Sequence, residues 1–234
     1  MIYPPQCLDC GAPVERDGAL CPDCWRDCEF VTGCACQRCG VPLPGMAGPD
    51  GDAALICDDC LAMARPWRQA RAALVYRDVG RDLVLALKHG DRPDLALPLG
   101  GWLAAAAAPL VRPGMIVVPI PLHPRRLLSR KFNQAALLSA QVARAHGLSH
   151  LPTLLQRCRA TPAQDHRDSA ARHENLRGAL AVTPRQRDRL AGRAVLLVDD
   201  VMASGATMTE AVRALHEAGT GPVSVAVLAR AVKG

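Results

Sequence analysis

Four Cys-x2-Cys pairs occupy the first 60 residues of this 234-residue chain, and they hold eight of its eleven cysteines. Two tight turns supply two thiolates each, which together meet the tetrahedral coordination that zinc requires. The first quartet consists of Cys7, Cys10, Cys21 and Cys24, and the second of Cys36, Cys39, Cys57 and Cys60. The duplicated pattern therefore predicts a double zinc-ribbon module over residues 1–68, with two structural Zn²⁺ sites.

Two alternatives to zinc exist for these cysteines. A disulfide framework is typical of small secreted domains, whereas an intracellular chain with paired cysteines favours a metal. Iron–sulfur binding is disfavoured because the spacing differs from that of ferredoxins. Cys28 and Cys34 are left over from the quartets. Cys34 is an alternative to Cys36 as a ligand, or else a thiol without a metal role.

The composition limits where the protein works and what it binds. The start, MIYPPQCLDC, lacks the basic and apolar regions of a signal peptide. The Ala-rich run at 103–108 is too short to cross a bilayer. We therefore expect a cytoplasmic protein without membrane insertion. A net charge of +6 permits contact with nucleic acid without demanding it, and 3% aromatic residues leave few platforms for base stacking.

A second strong motif lies at residues 195–207, with the sequence VLLVDDVMASGAT. Its four apolar residues, 195–198, predict a buried parallel strand that Asp199 and Asp200 close. A turn of small residues and a helix then follow, and such a turn binds anions through backbone N–H groups and the helix dipole. The turn consists of Ala203, Ser204, Gly205, Ala206 and Thr207. Two carboxylates beside a phosphate cradle fit a ligand that also offers hydroxyls or a metal ion.

Apolar segments around this motif alternate between strand and helix patterns. Strands are predicted at 70–76, 115–120 and 223–228, helices at 79–88, 95–108 and 129–146, and an edge strand at 177–182. This alternation predicts an α/β domain over residues 69–234, with a parallel sheet covered on both faces. In such sheets the ligand lies beyond the carboxyl ends of the strands.

Three further segments are candidates for this ligand site. Lys88, before Gly90, either reaches an anion or ends a helix as a solvated residue before a glycine cap. A stiff Pro-rich loop, in which arginines suit phosphate oxygens, contains Pro121, Leu122, His123, Arg125 and Arg126. His123 is equally compatible with no chemical role. The polar segment 157–175, with Arg157 and Gln164, is either a long mobile loop that closes over the site or a solvated linker.

The motif at 195–207 resembles the site for 5-phosphoribosyl-1-pyrophosphate (PRPP) of type I phosphoribosyltransferases. The resemblance implies that Asp199 and Asp200 bind the ribose 2′- and 3′-hydroxyls, and that residues 203–207 bind the 5′-phosphate. It also implies Mg²⁺ with PRPP, a pyrophosphate loop at 121–126 assisted by Lys88, and a flexible hood at 157–175. We therefore expect a type I phosphoribosyltransferase fold that carries a small double zinc-ribbon module with four cysteine ligands at each metal site.

The whole chain resembles the ComF family. The resemblance rests on the two cysteine quartets and on the segments LKHGDRPDLALPLG, VPIPLHPRRLLSRKFNQAALL, RCRATPAQDHRDSAARHENLRGAL and VLLVDDVMASGATMTEA. It implies a link to natural transformation and DNA uptake, or to growth on gluconate, together with names that evoke amidophosphoribosyltransferase and a place in nucleoside metabolism. The sequence has no recognisable glutaminase domain, so it predicts no ammonia production.

Two functions from different classes remain open at this point. The first is PRPP-dependent transfer of a phosphoribosyl group to an unknown acceptor. The second is a non-catalytic adaptor that binds PRPP or a nucleotide, with zinc ribbons that contact single-stranded DNA or a competence protein. A structural protein with a vestigial fold is a third option, which the intact PRPP motif disfavours.

Overall fold

The structure is a computed structural model, and it describes residues 4–45, 55–89, 92–123, 127–128, 131–159 and 176–232. Its helices are α1 (Pro22–Arg26), α2 (Asp58–Ala62), α3 (Asp78–His89), α4 (Ala96–Ala107), α5 (Gln134–His146) and α6 (Ala206–Glu217). Its strands are β1 (Ala70–Val75), β2 (Ile116–Pro119), β3 (Ser149–His150), β4 (Leu155–Arg157), β5 (Leu180–Val182), β6 (Val195–Met202) and β7 (Val223–Arg230). Short 3-10 segments lie at Pro93–Leu95, Ala108–Leu110 and Pro184–Arg189.

Five strands form a parallel sheet in the order β1-β7-β6-β2-β3. The chain leaves β2 through α5 towards β3 on one side, and it leaves β6 through α6 towards β7 on the other. The direction of winding therefore reverses between β2 and β6. A reversal of this kind opens a crevice beyond the carboxyl ends of the two strands, where α/β proteins bind ligands.

The sheet is covered on both faces, as the alternating pattern predicts. One face packs against α3, α4 and α5, with Val117 and Leu196 among the fully buried residues. The other face packs against α6, with Val118 and Leu197 buried. Each strand thus contributes apolar side chains to both faces, which explains its unbroken Val/Leu run.

The two zinc ribbons pack on opposite faces of this sheet. Cys7, Cys21 and Cys24 of the first ribbon belong to the apolar core shared with α3 and α4. Cys36 and Cys39 of the second belong to the core shared with α6. The chain crosses the sheet edge between them, where Val31 N donates to Ala73 O at 2.9 Å. This crossing segment covers β1, which is an edge strand of the sheet.

Three expectations about the elements need correction, and one strand was not predicted. Strand β6 is not closed by Asp199 and Asp200, because its pairing with β7 continues through Val201 to Met202. The predicted edge strand at 177–182 is shorter and lies outside the main sheet, since β5 pairs antiparallel with β4 in a separate two-stranded sheet. Arg157, placed in a long loop, is instead the last residue of β4. The two-residue edge strand β3 was missed because it carries no apolar run.

In the part of the chain that the structure describes, each helix is too short or too polar to span a bilayer.

Candidate functional site

Two adjacent carboxylates lie on β6 at the carboxyl edge of the sheet. Asp199 and Asp200 are both half-buried, and the strand continues past them because β7 still supplies backbone partners. The N–H of Asp200 donates to Asp199 Oδ1 at 2.9 Å, which orients that carboxylate. The pair thus stands at the crevice between β2 and β6 that the topology creates.

Lys88 reaches this acid pair from the C-terminal turn of α3. Its Nζ lies 3.2 Å from Asp200 Oδ1, and the two side chains are only 18% and 13% exposed. The interpretation of Lys88 as a solvated residue is therefore wrong. A cation held beside two carboxylates offsets part of their repulsion and keeps a positive charge available to an anionic ligand.

The environment raises the pKa of Asp199 well above its usual value. Burial is the main cause and the negative charge of Asp200 adds to it, whereas a backbone hydrogen bond and the charges of Lys88 and Arg157 act in the opposite direction. The arginine that ends β4 therefore lies close enough to act on the acid pair. A ligand that brings hydroxyl donors or a cation would stabilise the ionised form of Asp199.

The turn after β6 has the geometry of an anion cradle. Gly205 adopts a left-handed φ of +84°, and α6 begins at the next residue. This φ favours glycine, and a Cβ at Gly205 would lie 3.0 Å from Arg65 Nη1 and 3.1 Å from Trp67 Cη2, so a larger residue would also force these side chains to shift. Ala206 N donates weakly to Ser204 Oγ at 3.4 Å, while Ala203 is exposed and Thr207 half-buried. The cradle stands at the positive end of the 12-residue helix α6.

Helix α5 ties two of the loops to the site. Asn133 caps its N-terminus by accepting from Ala135 N, and it donates to Ile120 O at 3.0 Å. The next residue, Gln134, is buried and donates to Lys88 O at 3.4 Å. The start of α5 therefore holds both the chain after β2 and the end of α3. Our sequence reasoning missed this role, although an Asn before a helical pattern is a known capping signal.

The predicted pyrophosphate loop is described only in part. Pro121 is buried, and Leu122 and His123 are half-buried beyond β2. His123 O accepts a hydrogen bond from Leu127 N at 3.0 Å. The remaining candidates, Arg125, Arg126 and Gln164, and the hood from residue 160 to 175 lie outside the described residues.

Removing the positive charge at Lys88 should destabilise the ligand-free protein. We expect Lys88→Gln to lower the free energy of unfolding by about 1–2 kcal/mol, because it leaves two partly buried carboxylates without their cation. The change is measured by urea unfolding at pH 7. Arg81→Gln is the matched control, since Arg81 lies on the exposed side of the same helix. Equal stability of the two variants would contradict the assigned ion pair.

Both cysteine quartets form compact clusters with the geometry of a zinc site. The four Sγ atoms of each quartet lie within 4.8 Å of one another. Two pairs, Cys10 with Cys21 and Cys39 with Cys57, are 3.6 Å apart. A tetrahedron with Zn–S bonds of about 2.3 Å has edges of about 3.8 Å, so the thiols fit the ion with little rearrangement.

The ribbons repeat one local design. A glycine, Gly11 or Gly40, follows the first Cys-x2-Cys pair of each quartet. Gly40 has a φ of +71°, and a Cβ there would lie only 2.9 Å from Ala72 N. Backbone N–H groups donate to one sulfur in each quartet, from Cys21 to Cys7 at 3.3 Å and from Cys57 to Cys36 at 3.4 Å. Burial alone would raise the pKa of Cys7 and Cys36, but these hydrogen bonds lower it to about 6 and about 7. Such donors stabilise metal-bound thiolates.

The leftover cysteines lie outside both quartets. Cys34 belongs to neither cluster, whereas Cys36 does, so Cys34 does not replace it as a ligand. Cys28 is buried, and burial together with the charge of Asp9 raises the pKa of its thiol to about 12. None of the eleven cysteines is in a disulfide, and the clustering of four sulfurs in each quartet favours a metal over a disulfide framework.

Comparison with protein families identifies both parts of the chain. The model described as "Double zinc ribbon domain" matches residues 1–69, and "Phosphoribosyl transferase domain" matches residues 157–234. The expected fold class, a parallel-sheet phosphoribosyltransferase fold with an N-terminal zinc-ribbon module, is thereby confirmed. The second match includes the acid pair and the small-residue turn.

Related proteins match over nearly their full length. Competence protein F of Haemophilus influenzae is 33% identical, over 97% of this chain and 97% of that protein. DNA utilization protein YhgH of Salmonella typhi is 30% identical, over 98% of this chain and 99% of that protein. A solved structure of the PRPP amidotransferase of B. subtilis is 23% identical, with a TM-score of 0.41, and the match covers 61% of this chain and 30% of that one.

Proposed function

Because this chain belongs to the ComF family, in which a double zinc ribbon precedes a phosphoribosyltransferase domain, we propose that it binds PRPP with Mg²⁺ and acts in the handling of DNA during competence. The single observation that carries the PRPP assignment is the placement of Asp199, Asp200 and Lys88 beside an anion cradle. This grouping lies at the reversal between β2 and β6.

The chemistry of the described residues supports a phosphorylated sugar as the ligand. Carboxylates accept hydrogen bonds from vicinal hydroxyls, and charged acceptors make such bonds strong. The turn 203–207, a few residues further along the chain, offers N–H groups and the helix dipole to a phosphate. A free phosphate would meet the repulsion of two carboxylates, whereas the ribose of PRPP separates its phosphate from them.

The remaining roles follow from charge. Lys88 and the Pro-rich loop, with Pro121, Leu122 and His123 followed by Arg125 and Arg126, would hold the pyrophosphate. Arg157, with Gln164 further along, would approach from the hood. Bound Mg²⁺ would neutralise pyrophosphate oxygens. Enzymes of this type act mainly by positioning the sugar and stabilising the departing charge.

We assign the transfer of a phosphoribosyl group, with an acceptor still to be identified, as the reaction of an active enzyme. The alternative is an adaptor that binds PRPP or a nucleotide without turnover. Exposed apolar side chains on the second ribbon, Leu61 at 68% and Met63 at 46%, favour a protein partner for that ribbon. The names of two relatives refer to DNA utilization and to competence. On that basis we propose single-stranded DNA and proteins of DNA uptake or recombination as partner classes. Thiolate zinc sites suit the reducing cytoplasm.

The proposal is tested by calorimetric titration of the zinc-loaded protein with PRPP, with and without Mg²⁺, and then with single-stranded DNA. We expect PRPP to bind and Mg²⁺ to tighten the binding, since the ion screens the pyrophosphate charge. Pyrophosphate release with candidate acceptors then separates an enzyme from an adaptor. DNA binding without PRPP binding would refute the PRPP site and leave the fold as a scaffold for the ribbons.

A further inference from the structure

Arg65 lies against the anion cradle, although it belongs to the end of the zinc module. It follows the last ligand of the second quartet, Cys60, by five residues. Its Nη1 donates to Ser204 O at 2.7 Å, across 139 positions of sequence. Its Nε is buried without a hydrogen-bond partner among the described residues. The hydrogen bond to Ser204 O and the indole ring of Trp67 hold the guanidinium in place.

Trp67 provides that ring and the other wall of the turn. The Arg65 guanidinium lies 5.6 Å from the centroid of its indole, within the range of a cation–π contact. Trp67 is 1% exposed, and its Cη2 would be 3.1 Å from a Cβ at Gly205. Arg65 and Trp67 thus contact the residues whose backbone forms the cradle.

Trp67 is in turn fixed to the knuckle of the second zinc site. Its Nε1 donates to Arg38 O at 2.6 Å, and Arg38 Nη1 donates to Trp67 O at 3.0 Å. Arg38 lies between Cys36 and Cys39, which are two ligands of that site. A continuous path of contacts therefore runs from the second quartet through Trp67 and Arg65 to the cradle.

The start of the turn is also held from within the sheet. Arg230 of β7, only 6% exposed, donates from Nη1 to Met202 O at 3.0 Å. The first ribbon packs on the opposite face of the sheet with α3 and α4. The two zinc sites, alike in their own geometry, are therefore placed differently with respect to the ligand site.

We propose that the second zinc ribbon sets the geometry of the phosphate cradle, with Arg65 as the positioning residue, so that PRPP affinity depends more on the second zinc site than on the first. This inference rests on the proposed PRPP site, because it assigns a support to that site. A cradle held in its binding conformation loses less entropy when the ligand arrives, and so binds more tightly.

The test compares Arg65→Gln with Arg68→Gln, an exposed arginine of the same segment. Zinc content verifies that each variant keeps two ions. We expect Arg65→Gln to weaken PRPP binding about tenfold or more, as the loss of one charge-assisted hydrogen bond does. Amide hydrogen exchange in the peptide covering 199–210 should become faster, and Arg65→Lys should restore part of the affinity. Arg68→Gln should change neither quantity.

A zinc-site pair tests the asymmetry. Cys57→Ser and Cys10→Ser each alter the most exposed ligand of one quartet and should leave one zinc ion per chain. We expect faster exchange at 199–210 for Cys57→Ser alone, and a larger loss of PRPP affinity for Cys57→Ser than for Cys10→Ser. Wild-type PRPP affinity in Arg65→Gln, or equal losses in the two cysteine variants, would overturn the inference. If the wild-type protein itself fails to bind PRPP, the proposed function is refuted, while unchanged exchange in Arg65→Gln would still refute the support of the turn.

Discussion

Replacing both Asp199 and Asp200 with asparagine is expected to abolish PRPP binding while leaving the fold intact. Asparagine keeps the size of each side chain but removes the charge that makes hydrogen bonds to sugar hydroxyls strong. It also removes the partner that holds Lys88 at 3.2 Å. Two such losses together predict at least roughly a hundredfold weaker binding, measured by calorimetry in the presence of Mg²⁺.

The single variant Asp199→Asn should lose PRPP affinity but gain folding stability. Burial and the charge of Asp200 raise the pKa of Asp199 in the folded protein. A carboxyl group whose pKa is higher in the folded state than in the unfolded state binds its proton more tightly when folded. The free energy of unfolding therefore decreases as the pH rises from the unfolded-state pKa to the folded-state pKa. We therefore expect Asp199→Asn to be more stable than the wild-type protein at pH 7. The difference should vanish as the pH falls below about 4.

Asp188→Asn is the matched control for both measurements, since Asp188 is exposed and lies in the 3-10 segment Pro184–Arg189, outside the residues assigned to the ligand site. It should bind PRPP normally and show wild-type stability across the same pH range. A double variant at 199 and 200 that binds PRPP with wild-type affinity would refute the site. Loss of stability at pH 7 in Asp199→Asn would show that the carboxylate is better accommodated in the free protein than its burial suggests.

Removal of zinc is expected to unfold the N-terminal module and to destabilise the sheet beneath it. Structural zinc sites contribute about 10–16 kcal/mol each to the folding of small zinc modules. The ribbons here contribute residues to the apolar cores on both faces of the sheet, so their loss exposes core side chains on each side. We expect about two zinc ions per chain by elemental analysis, one for each four-thiolate site. Chelation should lower the thermal midpoint strongly and promote aggregation.

Neighbouring cysteines of the second ribbon provide the control for zinc binding. Cys39→Ser alters a ligand and should leave one zinc ion per chain. Cys34→Ser alters a thiol that belongs to neither quartet and should retain both ions and the wild-type midpoint. Protein purified without chelator that contains no zinc would overturn the assignment of the module. Loss of one ion in Cys34→Ser would show that Cys34, rather than Cys36, is a ligand.

Local sequence patterns were sufficient to predict those features whose residues lie close together in the chain. The zinc ligands follow from spacing alone, because each Cys-x2-Cys turn places two sulfurs on one metal. The strand, turn and helix around the acid pair were identified for the same reason: three successive elements present a backbone cradle next to Asp199 and Asp200. The end of β6 was misplaced, since acidic residues disfavour strands and only the pairing with β7 keeps them extended.

Contacts between distant segments could be found only in the tertiary structure. Lys88 was ambiguous in the sequence, because a lysine before a glycine is common at solvated helix ends, and only packing places it on Asp200. Gln134 and Asn133 became site supports only once α5 met the ends of β2 and α3.

The sequence by itself determined the fold class and the two cysteine quartets, and it predicted the acid pair with its small-residue turn, since each depends on residues close together in the chain. The tertiary structure decided that the two ribbons lie on opposite faces of the sheet and that, among the described contacts, it is the second that touches the turn. The hydrogen bond from Arg65 to Ser204 has no signature in local composition, because its partner is 139 positions away. Periodicity and spacing predict which face of a segment is buried. Which other segment packs against that face is known only from the tertiary structure.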